Sequence, residues 1–290
     1  MKRNLVAALI FSWIILCASI CSAMKISVLD VGQGDSILIE SETQNILVDT
    51  GPPESREKLM AALSTVDKID KLIITHPHAD HIGNAFYLIE NKPVLMAYDN
   101  GEISASSYYL NYLAGLSLEN IGHVSLKAGD SLTVDGARLN FINPSAVSDT
   151  NNDSLVFRLS YGDFSMLFTG DIGFMAEADI LSREENISAT VLKAAHHGSK
   201  NSASYNFVQA VSPEAVVISA GKGNRFKHPS KEAVTVFKRF TNNIYCTAFD
   251  GRITIETDGK TYSVTSARAS DWLEKIEPAK EIVIVRSIDR

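Results

Sequence analysis

Three histidines and an aspartate fall within six residues in the stretch Thr75-His76-Pro77-His78-Ala79-Asp80-His81-Ile82-Gly83. Neutral imidazole and carboxylate are the preferred ligands of zinc and similar divalent ions. A short apolar run, Lys71 to Ile74, precedes the cluster and reads as a buried strand. If its extended geometry carries past Thr75, His76 and His78 point the same way and can share one ion, because strand side chains alternate with period two. Pro77 excludes a simple helix through the cluster. Asp80 and His81 then lie past a bend, where they can hold a second ion. A polar loop with incidental histidines is the competing reading, and the spacing behind a buried strand argues against it.

Other polar residues recur where apolar runs stop, the usual place for a site built from loops on a rigid scaffold. Asp49 ends the run Asn45 to Val48, Asn151-Asn152-Asp153 precedes another, and Asp171 closes Leu167-Phe168-Thr169-Gly170-Asp171. His196-His197-Gly198-Ser199 follows Val191 to Ala195, and His228 sits in a loop before a helix. Six of the seven histidines thus fall at or near strand ends; the seventh, His123, has no acidic or histidine neighbour and reads as structural. Adjacent side chains on a strand face opposite ways, so His196 and His197 should have different jobs. Lys193 and Ser199 are candidates for substrate contact only. Gly32-Gln33-Gly34-Asp35 lacks the lysine and the length of a P-loop and reads as a tight turn near the site.

The elements that must position these residues follow from pattern. β-branched apolar runs predict strands at Met24–Val31, Ser36–Glu40, Asn45–Val48, Ile69–Ile74 and Val94–Tyr98, with helices at Arg56–Val66, Asp80–Glu90 and Ala105–Leu116. A second group of strands spans Val124 to Thr169, with hairpin chemistry at Asp135-Gly136 and Gly162-Asp163. Strand and helix then alternate through Thr190–Ala195, Tyr205–Val211, Ala215–Ser219 and Ser230–Phe240, and a last hairpin is predicted within Ile244–Val264. Strands followed by strand–helix alternation, given twice, predict two similar α/β halves packed sheet to sheet with helices outside.

The composition is that of a globular chain: 45% apolar, 21% charged and a net charge of −7. An acidic chain is not built as a non-specific nucleic-acid binder, although bound divalent cations could offset the charge locally. Lys2 and Arg3, the apolar run Leu5–Ile20 and the small residues Cys21-Ser22-Ala23 have the layout of a cleavable signal peptide over residues 1–23. The run falls short of the roughly 20 residues that span a bilayer. The expectation is therefore an exported protein; a retained N-terminal membrane anchor, or translation from Met24, are the alternatives. Only Cys246 would remain in the mature chain, too few for an internal disulfide. Residues 266–290 read as an extension in which Glu281–Ile288 forms an edge strand or a tail.

The cluster, with Leu29-Asp30-Val31-Gly32-Gln33-Gly34-Asp35, Val48-Asp49-Thr50-Gly51, Asn152 with Ser154-Leu155-Val156, Phe168-Thr169-Gly170-Asp171 and Leu192-Lys193-Ala194-Ala195-His196-His197-Gly198-Ser199, resembles the metallo-β-lactamase fold superfamily. Within it, the chain is most similar to the C-terminal domain of ComEC-type DNA-uptake competence proteins, over about residues 24–265. It looks like a stand-alone, exported relative without their membrane channel. The resemblance implies a four-layer αββα sandwich with two divalent metal ions between the halves. His76 and His78 would take the first ion. Asp80 and His81 would take the second, with His196 as the further ligand and His197 as a phosphate contact or proton donor. Asp171 would bridge, Asp49 would orient a ligand, and a hydroxide between the metals would be the nucleophile. His228 would be a general acid to the leaving oxygen, or a loop histidine capping the next helix. Many members have a third histidine for the first ion where this chain has Asn152 and Asp153, so oxygen donors make manganese an alternative to zinc.

The implied function is hydrolysis of phosphodiester bonds, with DNA or a smaller phosphodiester as substrate. Two alternatives are a hydrolase of a carbonyl ester or amide, such as a β-lactam or lactone, and a non-catalytic exported binding partner in DNA uptake.

Overall fold

The computed structural model of the protein describes residues 24–145 and 150–275. The first half opens with an antiparallel meander of β1 (Met24–Val28), β2 (Ile37–Glu40) and β3 (Asn45–Val48). It continues in parallel through β4 (Lys71–Ile73), β5 (Met96–Asp99) and β6 (Gly122–Ser125). The second half repeats the scheme. Antiparallel β7 (Ser131–Val134), β8 (Ala137–Asn143), β9 (Val156–Tyr161) and β10 (Phe164–Phe168) lead into parallel β11 (Val191–Lys193), β12 (Ala215–Ile218) and β13 (Ile244–Cys246). A hairpin of β14 (Ile253–Thr257) and β15 (Tyr262–Ser266) returns to the first sheet beside β1. The sheet orders are β15-β14-β1-β2-β3-β4-β5-β6 and β13-β12-β11-β10-β9-β8-β7.

The central strands are apolar on both faces because both faces are covered. Ile37 and Ile39 of β2 and Met166 and Phe168 of β10 point between the sheets, where Phe157 stacks on Phe168 with ring centroids 4.5 Å apart. Leu38 and Leu47 turn the other way. There they meet helices α1 (Arg56–Ala62), α3 (Ala85–Asn91) and α4 (Ser107–Leu118); the short α2 (Ala79–Ile82) lies between α1 and α3 in the chain. Leu167, Leu192, Val216 and Ile218 pack under α5 (Phe174–Ser182), α6 (Tyr205–Val211) and α7 (Lys231–Phe237). The result is the four-layer αββα sandwich. Each large apolar side chain so buried contributes roughly 1.5–3 kcal/mol.

Three details differ from the pattern-based expectation. The helix predicted over Asp80–Glu90 breaks into α2 and α3, because Asn84 turns its amide inward to the carbonyls of Thr50 (3.0 Å) and Pro52 (2.7 Å). The predicted hairpin within Ile244–Val264 is divided between the sheets: β13 ends the second sheet. A turn of helix, α8 (Thr247–Asp250), and Gly251, at φ 71°, then send the chain back to the first. The packed body also continues past residue 265, where Trp272 is buried on Phe249 and donates to Asp250 (3.0 Å). The leader at 1–23 and the run Glu281–Ile288 lie outside the described residues. Among the described residues no helix is long and apolar enough to cross a membrane.

One glycine ties this scaffold to the site. Gly34, at φ +151°, lies against the backbone of α2, and a Cβ there would strike the carbonyl oxygen of Asp80 and the Pro52 ring. The neighbouring Asp35 N–H donates to that same carbonyl (3.1 Å). Gly34→Ala is expected to destabilise the fold by about 1–3 kcal/mol through overpacking against backbone that cannot yield, as read by urea unfolding. An unchanged midpoint would mean that this contact is not tight.

Candidate metal centre

The loops that follow β3, β4, β10, β11 and β12 meet at one end of the seam between the sheets. β4 stops at Ile73, and the next residues are held open by a carboxylate. Asp49, itself left-handed at φ 59°, accepts from the Thr75 N–H and the Thr75 hydroxyl, both at 2.8 Å. His76 is buried and His78 exposed, yet their facing nitrogens, Nε2 and Nδ1, are only 3.1 Å apart. His81 lies in the short α2 with its Nδ1 2.7 Å from Asp49 Oδ2, which leaves Nε2 turned toward the second half. A carboxylate on one imidazole nitrogen fixes the ring so that the other can bind a metal.

The second half brings Asp171 and the histidine pair. Gly170 is left-handed at φ 47° and packed against Ser154, whose hydroxyl accepts from the Asp171 N–H (3.1 Å). β11 has already ended when the chain reaches His196 and His197. Both are left-handed, at φ 48° and φ 55°. Such a conformation costs of order 1–3 kcal/mol per non-glycine residue and tends to mark functional turns. It is pinned here by the His196 N–H to Gly170 oxygen (3.0 Å) and the Ser199 N–H to His196 oxygen (2.9 Å).

Donor atoms of Asp80, His81, Asp171 and His197 all lie within 4.8 Å of one another. His197 Nε2 is 3.2 Å from Asp80 and 3.5 Å from Asp171, and His81 Nε2 is 3.3 Å from Asp171 Oδ1. His81 Nε2 and Asp171 Oδ1 are buried without a hydrogen-bond partner. Two orphaned buried donors facing each other, in a set of two nitrogens and two carboxylates, fit a divalent ion. The His76–His78 pair stands beside it, with the His76 ring 4.2 Å from that of His81.

The protein charges alone are finely opposed here. Burial works against the cation on His81, but Asp171 and Asp49 outweigh it and lift the imidazole well above its usual range. His197, likewise opposed by burial and supported chiefly by Asp171, rises to about 10. Burial alone would raise Asp171, yet His197 and His81 hold it well below the carboxylate range. Asp49 is raised by burial, which His81 only partly offsets. His76 goes the other way: burial first, then the neighbouring positive His81, push it well below 6.5.

Two residues outside the expected set prove central. Asp35 and Lys193, only 3% and 1% exposed, form a buried ion pair at 2.8 Å that bridges the halves. Asp35 Oδ1 is 3.4 Å from His197 Nδ1, which also lies 3.1 Å from the Ser219 carbonyl. The signal for this was a lysine within a buried parallel strand, which demands an acid close by. Lys193 is thus committed to Asp35, and Ser199, the other candidate for substrate contact, is buried with its hydroxyl accepting from the Asn201 N–H (3.2 Å).

The structure brings His76, His78, Asp80, His81, Asp171 and Asp49 together. It places His197, and not the expected ligand His196, in the four-donor group. Strand alternation does not apply to a left-handed turn, and His196 is left partly exposed at 3.8 Å from Asp171. Asn152 gives its side-chain oxygen to the Gly173 N–H (3.0 Å), and buried Asp153 is not part of the four-donor group. His228 does not cap α7; Ser230 does, accepting from the Ala233 N–H (3.1 Å). Instead the His228 ring stands 5.8 Å from that of His196 and 6.3 Å from that of His197, with a buried Nδ1 that has no hydrogen-bond partner. His123 is structural, paired with Asp99 on the adjacent strand at 2.6 Å.

Comparison with known proteins agrees with this geometry. The pattern of the metallo-beta-lactamase superfamily matches residues 29–222. The chain is 30% identical over 252 residues to ComE operon protein 3 of Bacillus subtilis (strain 168), covering 79% of this chain and 32% of that protein. It is 32% identical over 214 residues to Competence protein ComA of Neisseria gonorrhoeae, covering 71% and 28%. The chain thus spans about a third of the length of these relatives. Among solved structures, the metallo-beta-lactamase fold protein YhfI from Bacillus subtilis superposes with a TM-score of 0.58 at 16% identity, over 81% of this chain and 100% of that one.

A divalent ion entering the four-donor group must displace the protons that Asp171 and its neighbours hold on His81 and His197. Metal uptake by chelator-stripped protein is expected to release up to about two protons near neutrality, and affinity should climb as pH rises toward about 10. Calorimetry in buffers of different ionisation enthalpy reads this; an affinity flat in pH would refute it.

Proposed function

We propose, from the premise that the chain belongs to the metallo-beta-lactamase superfamily, that it is a metal-dependent hydrolase of phosphodiester bonds, with DNA as the leading substrate. The observation that carries this reading is the four-donor group of Asp80, His81, Asp171 and His197, with the His76–His78 pair beside it and Asp80 lining a cleft of about 560 Å³. Two divalent ions, zinc or manganese, would be held by these residues and would supply Lewis acidity at the phosphoryl oxygens and a water with pKa near 7.

The chain's own groups supply orientation. Asp49 holds His81 through Nδ1, and Thr75 holds Asp49. Asp35 and the Ser219 carbonyl hold His197 through Nδ1, while Lys193 neutralises Asp35 in the interior. His196, partly exposed at the mouth, is suited to contact a phosphate oxygen. His228 is half-buried, and burial, then the positive charges of His197 and His196, push its pKa down to about 4. A neutral imidazole there can donate a hydrogen bond from its single N–H to the leaving oxygen, without transferring the proton. DNA is favoured over a carbonyl substrate by the kinship with proteins named for competence. The charged, apolar and small-residue layout of residues 2–23 supports export.

The purified protein, supplied with Zn²⁺ or Mn²⁺, is expected to cleave bis-p-nitrophenyl phosphate and single-stranded DNA and to leave a chromogenic β-lactam intact. His76→Ala and Asp171→Ala should each lower diester cleavage by at least about 100-fold, since each removes a metal contact on which the electrophilic assistance depends. Diester cleavage that survives in His76→Ala would sink the two-metal reading, and turnover of the β-lactam alone would move the substrate to carbonyl chemistry.

A further inference from the structure

The segment from Gly221 to Lys231 is unlike the rest of this acidic chain. It carries Lys222, Arg225, Lys227 and Lys231, all exposed, and no acid. Among the described residues none of these four cations forms an ion pair with a carboxylate, although Glu54 and Asp80 line the opposite side of the cleft that Arg225 enters. Phe226 stands in the middle with 52% of its surface exposed.

The arrangement of planes is the second observation. From the metal centre outward, the His197 and His228 rings are 6.3 Å apart at 29°. His228 and Phe226 are 5.7 Å apart at 23°, and the Arg225 guanidinium lies over the Phe226 ring at 4.7 Å. These near-parallel planes form a ladder from a buried donor residue to solvent. The loop that bears them is braced. Asn224 donates to the Gly221 carbonyl (2.8 Å) and the His228 carbonyl (2.6 Å), and accepts from the N–H groups of Phe226 (3.1 Å) and His228 (3.0 Å). The Gly221 N–H in turn donates to Gln33 (3.1 Å) in the first half.

An exposed aromatic leaves apolar surface in water that a stacking partner can cover, and unpaired cations around it favour a polyanion. Bases stack on aromatic rings and on guanidinium planes whatever their sequence, while lysines track the phosphates. We propose that Phe226 and Arg225 form a base-stacking subsite for single-stranded nucleic acid next to the scissile phosphate, with Lys222 and Lys227 on the backbone. This rests on the phosphodiester reading and extends it: it names the strand state of the substrate and the residues that recognise it. It also explains how a chain of net charge −7 can take a polyanion, because four cations are gathered on one segment, of which Arg225 and Phe226 line the cleft.

The test is fluorescence anisotropy of a labelled phosphorothioate oligothymidylate with the metal-loaded protein. Phe226→Ala is expected to weaken binding roughly ten-fold, Phe226→Trp to retain it, and Lys222→Ala with Lys227→Ala to flatten its salt dependence. Phe226→Trp should also show fluorescence quenching on binding, which a merely structural role would not give. Unchanged binding by Phe226→Ala, or equal wild-type affinity for a blunt duplex of the same length, overturns the subsite. Were wild-type protein still to cleave bis-p-nitrophenyl phosphate in that case, the phosphodiester reading would stand alone. Failure of the wild type both to bind the oligonucleotide and to cleave the diester would remove both.

Discussion

Carboxylates buried at the seam between two sheets dominate this structure. Asp35, Asp49 and Asp171 are all nearly sealed from solvent, and an ionised carboxylate taken out of water is costly unless a cation faces it. Each has a dedicated answer. Lys193 faces Asp35, His81 faces Asp49, and Asp171 lies between His81 and His197. Asp49 is answered within the first half and Asp171 partly within the second, but the Asp35–Lys193 and His81–Asp171 pairs cross from one half to the other. The polar seam therefore joins the halves beside the apolar core between the sheets.

Much else in the fold follows from that constraint. Both sheets place the carboxyl ends of their parallel strands at the same end of the sandwich, where loops can reach across. Gly34 and Gly170 are two places near the site where the chain comes too close to backbone or to Ser154 for a side chain. The left-handed turn at His196 and His197 turns the second imidazole into the seam and leaves the first at its mouth. Strain at that turn is stable because the surrounding hydrogen bonds define it from both sides.

The fold was legible in the sequence because its strands are apolar on both faces and its turns carry Asp-Gly and Gly-Asp chemistry. Asp135 and Gly136 are both left-handed in the β7–β8 hairpin, as that chemistry requires. The cluster His76 to His81 was legible for a different reason, since ligand types at close spacing need no knowledge of tertiary contacts. What stayed hidden depends on those contacts. Strand alternation could not choose between His196 and His197 because the strand ends before them. Lys193 looked like a substrate contact because its partner, Asp35, is remote in sequence. The break at Asn84 and the return of β14 to the first sheet are likewise long-range choices, made by the carbonyls of Thr50 and Pro52 and by pairing with β1.

The most direct test of the metal centre is anomalous diffraction from crystals grown with Mn²⁺ and, separately, with Zn²⁺. Two peaks are expected at ligand distance, roughly 2.0–2.2 Å, from their donors. One should touch His76 and His78, the other Asp80, His81 and His197, with Asp171 reaching both. A single peak away from these residues, or coordination through His196 with His197 left uncoordinated, would contradict the site described above.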